Sequence, residues 1–356
     1  MIHGEYVEVG PVIKKYLEKH CYYFYFCGGR GIGKTYSGLD TLREIATGDF
    51  VIDKTQAENK FMYMRRTGVE AQSVASPEGN VFKKYNKQEG YDIYPDFSDK
   101  LGFGNFYFDH EENRHIGYLA ALSTFANLRG VDFSDVNLIL YDECVPESKN
   151  KAPLKNEGFL LLNVMETINR NRFLEGKSEV VLVLLSNPID LGNPLLSQLD
   201  ITKVLNTMVF KNQQRYTDYN RCLHIEKYKD HVISQKKAKS ALYRFARTTG
   251  FNEEALSGDF VNNDLDLIAQ KINLKEYTAH ITLENVCIYF HKSTGGWYIS
   301  QTVSPSKYYF RACEREKVKE MCYWKYKLLM IERMVKFDNF STKVVFENMI
   351  NYKPYQ

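Results

Sequence analysis

The chain has 356 residues, of which 44% are hydrophobic, and a formal net charge of +3 at neutral pH. This is enough apolar material for a large core and two domains, but the longest apolar run, at residues 180–185, falls far short of the roughly 20 residues that span a bilayer. Seven cysteines, an odd number with no Cys-x-x-Cys pair, supply neither a disulfide framework nor a zinc site. The N-terminus lacks a leader pattern, so a cytosolic protein with reduced thiols and no membrane partner is expected. So small a net charge does not by itself point to nucleic acid.

In chain order, residues 22–26 read as a buried strand feeding Gly28-Gly29-Arg30-Gly31-Ile32-Gly33-Lys34-Thr35, followed by a helix over residues 35–45. A second strand over 60–64 ends in Arg65-Arg66. Residues 105–108 and 116–122 flank a polar turn and read as an antiparallel hairpin. Residues 136–141 form a buried strand ending in Asp142-Glu143, and a helix over 157–170 leads to a strand over 180–185 that ends in Ser186-Asn187-Pro188. Repeated strand, helix, strand connections predict an α/β fold with a mainly parallel sheet covered on both faces. The expected domains are a nucleotide-binding domain over 1–215, a basic helical linker over 216–257 centred on 227–247, and a smaller C-terminal domain over 258–356. Within the last, 277–290 and 297–303 read as a hairpin and 308–335 as one long helix.

The chemistry concentrates at strand ends. Gly28 and Gly33 occupy the fixed positions of a G-x-x-x-x-G-K-[ST] phosphate loop, with Gly29, Arg30, Gly31 and Ile32 between them to turn backbone N–H groups toward a polyphosphate. Lys34 would reach the β- and γ-phosphates of ATP, and Thr35 with Asp142 would hold Mg²⁺. Glu143, one residue beyond Asp142, is placed to polarise a water for in-line attack, which favours a hydrolase over a small-molecule kinase. Asn187 reads either as a γ-phosphate sensor or as a turn that ends its strand. Arg170, Arg172 and Arg129 are candidates for a positive group lent to a neighbouring subunit's nucleotide, against the ordinary roles of helix-cap or surface charges. Arg65, Arg66, Lys149, Lys151 and Lys155 are candidates for DNA phosphate contacts, against ordinary solvated loop charges. A helicase-like DNA-remodelling ATPase, a P-loop kinase and a nucleotide-gated switch are the competing classes.

These motifs, in this order, resemble the DNA-packaging ATPases, or encapsidation proteins, of small tailed phages that prime replication with a protein. The likeness covers most of the chain. It rests on the glycine loop through Thr35, on Phe61-Met62-Tyr63-Met64-Arg65-Arg66, on Leu140-Tyr141-Asp142-Glu143, and on Leu162-Asn163-Val164-Met165-Glu166-Thr167-Ile168-Asn169-Arg170-Asn171-Arg172 followed by Leu185-Ser186-Asn187. The resemblance implies a terminase-like motor. Its core would be a P-loop NTPase of the additional-strand, catalytic-glutamate type, and its C-terminal domain an α+β fold similar to an RNase H-like nuclease. It also implies that Arg170 is the arginine finger and Arg129 a second trans-acting group. The motor would form a homo-oligomeric, pentameric ring at the portal of a prohead in the cytoplasm of an infected bacterial host, drive double-stranded DNA inward, and in some relatives work with a packaging RNA. Glu284 is the only acid on the first C-terminal strand, so a vestigial nuclease is expected unless Glu314, Glu316, Glu320 and Glu347 converge on it.

Overall fold

The structure, a computed structural model, describes the chain apart from residues 1–4, 57, 99, 129, 147–153, 155, 190, 249, 257, 259, 261–266, 270–271 and 353–356. It forms two compact units: residues 1–189 with 212–261, and residues 190–211 with 262–356.

The first unit is built on strands β1 (Tyr23–Gly28), β2 (Lys60–Arg65), β3 (Ile93–Ser98), β4 (Phe103–Phe108), β5 (Arg114–Ala121), β6 (Val136–Tyr141), β7 (Val181–Ser186), β8 (Arg215–Asp218) and β9 (Leu223–Tyr228). They form one nine-stranded sheet in the order β3-β4-β5-β2-β6-β7-β1-β9-β8. The six central strands, β5 to β9 in that order, run parallel, and antiparallel pairs close both edges. β7 lies between β1 and β6, so the strand that delivers the acidic pair is not adjacent to the strand that delivers the glycine loop. The sheet interior reads as continuous apolar runs because both faces are covered. Phe24, Phe26, Phe61, Tyr63, Leu138 and Leu140 face one core together with Leu39, Leu42 and Ile45. The alternate residues Tyr25, Met62, Met64, Ile139 and Tyr141 are equally buried.

The helices are α1 (Val9–Leu17), α2 (Lys34–Thr47), α3 (Gly68–Ala75), α4 (Lys83–Glu89), α5 (Glu157–Asn169), α6 (Pro194–Gln198), α7 (Thr202–Phe210), α8 (Val232–Lys237), α9 (Ala241–Phe245), α10 (Gly250–Leu256), α11 (Arg315–Ile331) and α12 (Phe340–Met349). Gly38 lets α2 approach the sheet closely: a Cβ there would lie 3.0 Å from Leu140 and 3.2 Å from Leu185.

The linker expected over 216–257 does not form. Leu223 and Ile225 bury themselves as β9, a full member of the sheet beside β1, and α8 to α10 belong to the first unit. The charged residues His224, Glu226 and Lys227 hide this strand in the sequence, although all three are buried. Conversely, residues 190–211, expected in the first domain, belong to the second unit.

The second unit carries β10 (Tyr277–Leu283), β11 (Val286–His291), β12 (Trp297–Ser300), β13 (Tyr308–Phe310) and β14 (Val335–Phe337), in the order β13-β10-β11-β12-β14. The expected hairpin is a three-stranded meander, because a turn at Glu284 (φ +53°) splits its first arm. The single helix expected over 308–335 shrinks to α11. Its aromatic and β-branched ends pair instead as β13 with β10 and as β14 with β12. Among the described residues, no helix is long and apolar enough to cross a membrane.

Candidate active site

The parallel strands β1, β6 and β7 end at one edge of the sheet and bring most of the sequence candidates together. Gly31 (φ +70°) and Gly33 (φ +104°) take the left-handed backbone that L side chains avoid, and a Cβ on Gly33 would meet the Tyr6 side chain at 2.9 Å. The chain just before α1 therefore lies against the loop, where Val7 N donates to the Ile32 carbonyl at 3.0 Å. Lys34, the first residue of α2, is buried. Its Nζ donates to the Gly28 carbonyl (2.6 Å), the Gly29 carbonyl (2.9 Å) and Asn187 Oδ1 (3.0 Å). Asn187 thus meets the loop lysine directly.

Asp142 follows β6 and is buried. Thr35 Oγ1 donates to its Oδ1 at 3.2 Å and the Tyr63 hydroxyl to its Oδ2 at 2.9 Å. Burial raises the Asp142 pKa, with the Arg65 charge pulling it back down. Burial and the Asp142 charge also hold the Tyr63 phenol protonated, so it serves as a donor here. Glu143 takes a left-handed backbone (φ +50°), which turns its side chain away from the strand direction, and its N–H donates to Asp142 Oδ1 at 3.0 Å. Its carboxylate pairs with Arg65 Nη2, while Arg65 Nη1 lies 3.7 Å from Asp142 Oδ2. These groups open into a cavity of about 700 Å³ whose lining includes Tyr6, Lys34, Thr35, Glu143 and Asn187, large enough for a nucleotide.

Sequence reasoning missed Tyr63, Tyr6 and the counter-ion role of Arg65. It also missed Lys237, whose Nζ donates to the Arg30 carbonyl at 2.7 Å, and Ala255, whose carbonyl accepts from Arg30 N at 3.1 Å. Only Tyr63 carried a local signal, as a polar-tipped residue near the end of a strand that points at the site.

Two DNA-contact expectations are corrected. The Arg66 side chain is buried and its Nε donates to Glu157 Oε1 at 3.2 Å, while Tyr141 donates to the same oxygen at 2.7 Å. Arg65 is largely buried against Glu143 and Asp142. Neither side chain is presented to a passing duplex, because each offsets a carboxylate at the sheet edge. Lys149, Lys151, Lys155 and Arg129 lie outside the described residues.

The remaining arginines sit at the opposite edge of the sheet. Arg172 is buried, and its Nη atoms donate to the Ser134 (2.6 Å) and Val136 (2.7 Å) carbonyls and to Asn137 Oδ1 (2.8 Å), all at the start of β6. Arg172 is thereby unavailable as a finger. Arg170 is exposed and caps α5. The length of β6 separates this turn from Asp142, roughly 20 Å at the rise of a strand, so Arg170 does not reach its own site.

Fold and site together define a class, a mixed α/β protein with a large, mostly parallel sheet of the kind seen in phage packaging motors. The architecture is similar over 98% of the chain to the bacteriophage phi29 viral genome packaging motor assembly (TM-score 0.60, 18% identity, 99% of that chain). It is also similar over 97% of the chain to the Phi-28 gp11 DNA packaging motor (TM-score 0.59, 16% identity, 98% of that chain). The DNA packaging protein of Bacillus phage phi29 is 23% identical over 281 residues, 78% of this chain and 75% of its own length. The chain belongs to the podovirus DNA encapsidation protein (Gp16) family, whose model matches residues 12–348. Its function is viral DNA packaging, as the resemblance implied.

Proposed function

We propose that the chain is the ATPase of a ring-shaped packaging motor, of the P-loop additional-strand type. ATP binds in the cavity at the glycine loop, Glu143 activates the attacking water, and Arg170 of a neighbouring copy completes the site. The observation that carries this reading is the convergence of Lys34, Thr35, Asp142, Glu143 and Asn187 on one cavity at the ends of β1, β6 and β7. The insertion of β7 between β1 and β6 supports the additional-strand assignment.

On phosphate binding, Lys34 exchanges the loop carbonyls for the β- and γ-phosphates, and loop N–H groups with the α2 N-terminus hold the polyphosphate. Thr35 and Asp142 offer hard oxygen donors 3.2 Å apart, which suits Mg²⁺. That ion, when bound, supplies positive charge to the phosphate oxygens. Glu143 takes up the water once its carboxylate leaves Arg65, and Asn187 links the γ-phosphate position to the loop lysine. Support for action of Arg170 in trans comes from its remote edge position and from Phe173 and Leu174 beside it. These are 76% and 80% exposed, an apolar surface suited to a second copy of the chain.

The motor acts on double-stranded DNA at the prohead portal in the host cell. The C-terminal unit serves binding and has no nuclease activity. Glu284 pairs with Arg315 (3.2 Å), Glu314 with Lys317 (2.9 Å), Glu316 with Lys319 (3.4 Å) and Glu347 with Lys343 (3.1 Å). These are separate ion pairs, not a shared metal cage.

The test is ATP turnover by the full chain with proheads, with and without duplex DNA, alongside Glu143→Gln. DNA stimulation that disappears in the variant supports the motor. Turnover indifferent to DNA and proheads refutes it, and strand separation by the isolated chain would favour the helicase-like reading.

A further inference from the structure

The turn that carries Arg170 is an unfavourable conformation held in place. Arg170 has φ +41° and ψ −119°, outside the regions a non-glycine residue ordinarily occupies. Such a conformation is unfavourable and persists only where its surroundings over-determine it. Here they do. Two residues on, Arg172 is 4% exposed and spreads its guanidinium over the Ser134, Val136 and Ser178 carbonyls and Asn137 Oδ1. Its own carbonyl accepts from Lys177 N (2.9 Å) and Glu175 N (3.1 Å), closing the loop behind it. Asn169, one residue before Arg170, accepts from Val180 N through Oδ1 at 3.0 Å. The finger candidate is therefore bracketed by side chains stapled to the starts of β6 and β7, while its own guanidinium stays at the surface, where Nε donates to the Thr167 carbonyl at 3.0 Å.

We propose that Arg172 is a positioning residue for catalysis in the neighbouring subunit: its buried fork fixes the strained turn and so aims Arg170 at the adjacent nucleotide. This rests on the trans-finger reading of Arg170. The two Nη atoms of the planar fork reach four acceptors between them, whereas a lysine carries three donors on a single atom and cannot span all four, so lysine is not an equivalent. The charge of Arg172 never meets the nucleotide; its effect travels through the backbone of a two-residue turn. An arginine finger contributes only when it is within hydrogen-bond reach of the developing charge, and a shift of about 1 Å can cost on the order of a hundredfold in rate.

A double-mutant cycle tests this, using the full chain assembled on proheads and reading ATP turnover for the unchanged chain, Arg170→Ala, Arg172→Lys and the double change. The expected result is that Arg172→Lys lowers kcat by roughly ten- to a hundredfold and leaves KM within about twofold. The double change should be no slower than Arg170→Ala alone, because both act through one group. A merely structural role predicts losses that multiply, and that result overturns the proposal, as does unchanged kcat in Arg172→Lys. If Arg170→Ala by itself leaves turnover intact, the finger reading fails and the proposal falls with it. Should Arg172→Lys melt below the assay temperature, Asn137→Ala, which removes one acceptor of the fork, replaces it in the cycle under the same criteria.

Discussion

Two arginine pairs, Arg65 with Arg66 and Arg170 with Arg172, look alike in sequence, yet the fold treats them oppositely. At the end of β6 both members are drawn inward, each against a carboxylate: Glu143, just beyond β6, for Arg65, and Glu157, at the start of α5, for Arg66. At the far edge one member is buried on backbone carbonyls and the other is left at the surface. The difference lies in the acceptors nearby. The acids at the catalytic edge pair directly with both arginines, whereas at the start of β6 backbone carbonyls and the Asn137 amide oxygen seat one guanidinium and leave the next at the surface.

Arg170 carries the largest expected effect. Arg170→Ala should lower kcat of prohead-assembled protein by about a thousandfold or more while its melting temperature stays unchanged. Mixing in Glu143→Gln subunits, which keep Arg170, should restore part of the turnover; no recovery would place the arginine's action within its own chain. Next in size is stability. Arg66→Ala leaves Glu157 buried without its partner and should cost roughly 3–5 kcal/mol in urea unfolding. Removing both partners, as Arg66→Ala with Glu157→Ala, should cost less than the sum of the single changes, since the uncompensated charge disappears with them. A sum that adds would mean the pair is not coupled. The smallest effect is expected at Arg65. Arg65→Gln should leave the slope of log DNA affinity against log salt unchanged, whereas losing a true phosphate contact lowers its magnitude by about 0.9. A drop of that size would return Arg65 to the DNA path.

Much of the site was readable because it is local. The glycine loop, Lys34 and Thr35 are consecutive, and the acidic pair follows an apolar strand, so a single pattern fixes both the residue types and the sheet edge at which they emerge. What escaped the sequence depends on partners far along the chain. Tyr63 reaches Asp142 across 79 positions and Arg66 reaches Glu157 across 91, and nothing in either neighbourhood announces the other. β9 escaped because its polar residues are satisfied inside: Glu226 accepts from His224 Nε2 (3.2 Å) and Arg215 (3.0 Å), so the strand lacks the apolar pattern that marks its neighbours. The ends of α11 were overrun for the converse reason. Helical spacing continues into segments that pair as strands once β10 and β12 are beside them.

The helix between the two edges has a metric consequence. α5 has 13 residues, Glu157 at its first position is held by Arg66 and Tyr141, and the turn after its last is held by Arg172. Clamped at both ends, it works as a ruler of about 20 Å, and at 3.6 residues per turn it also sets an angle. One residue inserted or deleted would shift Arg170 by only about 1.5 Å along the axis but swing it by about 100° around it. If Arg170 acts in trans as proposed, the spacing between a subunit's own site and the arginine it lends is written as a residue count, and helix length and phase can change only together.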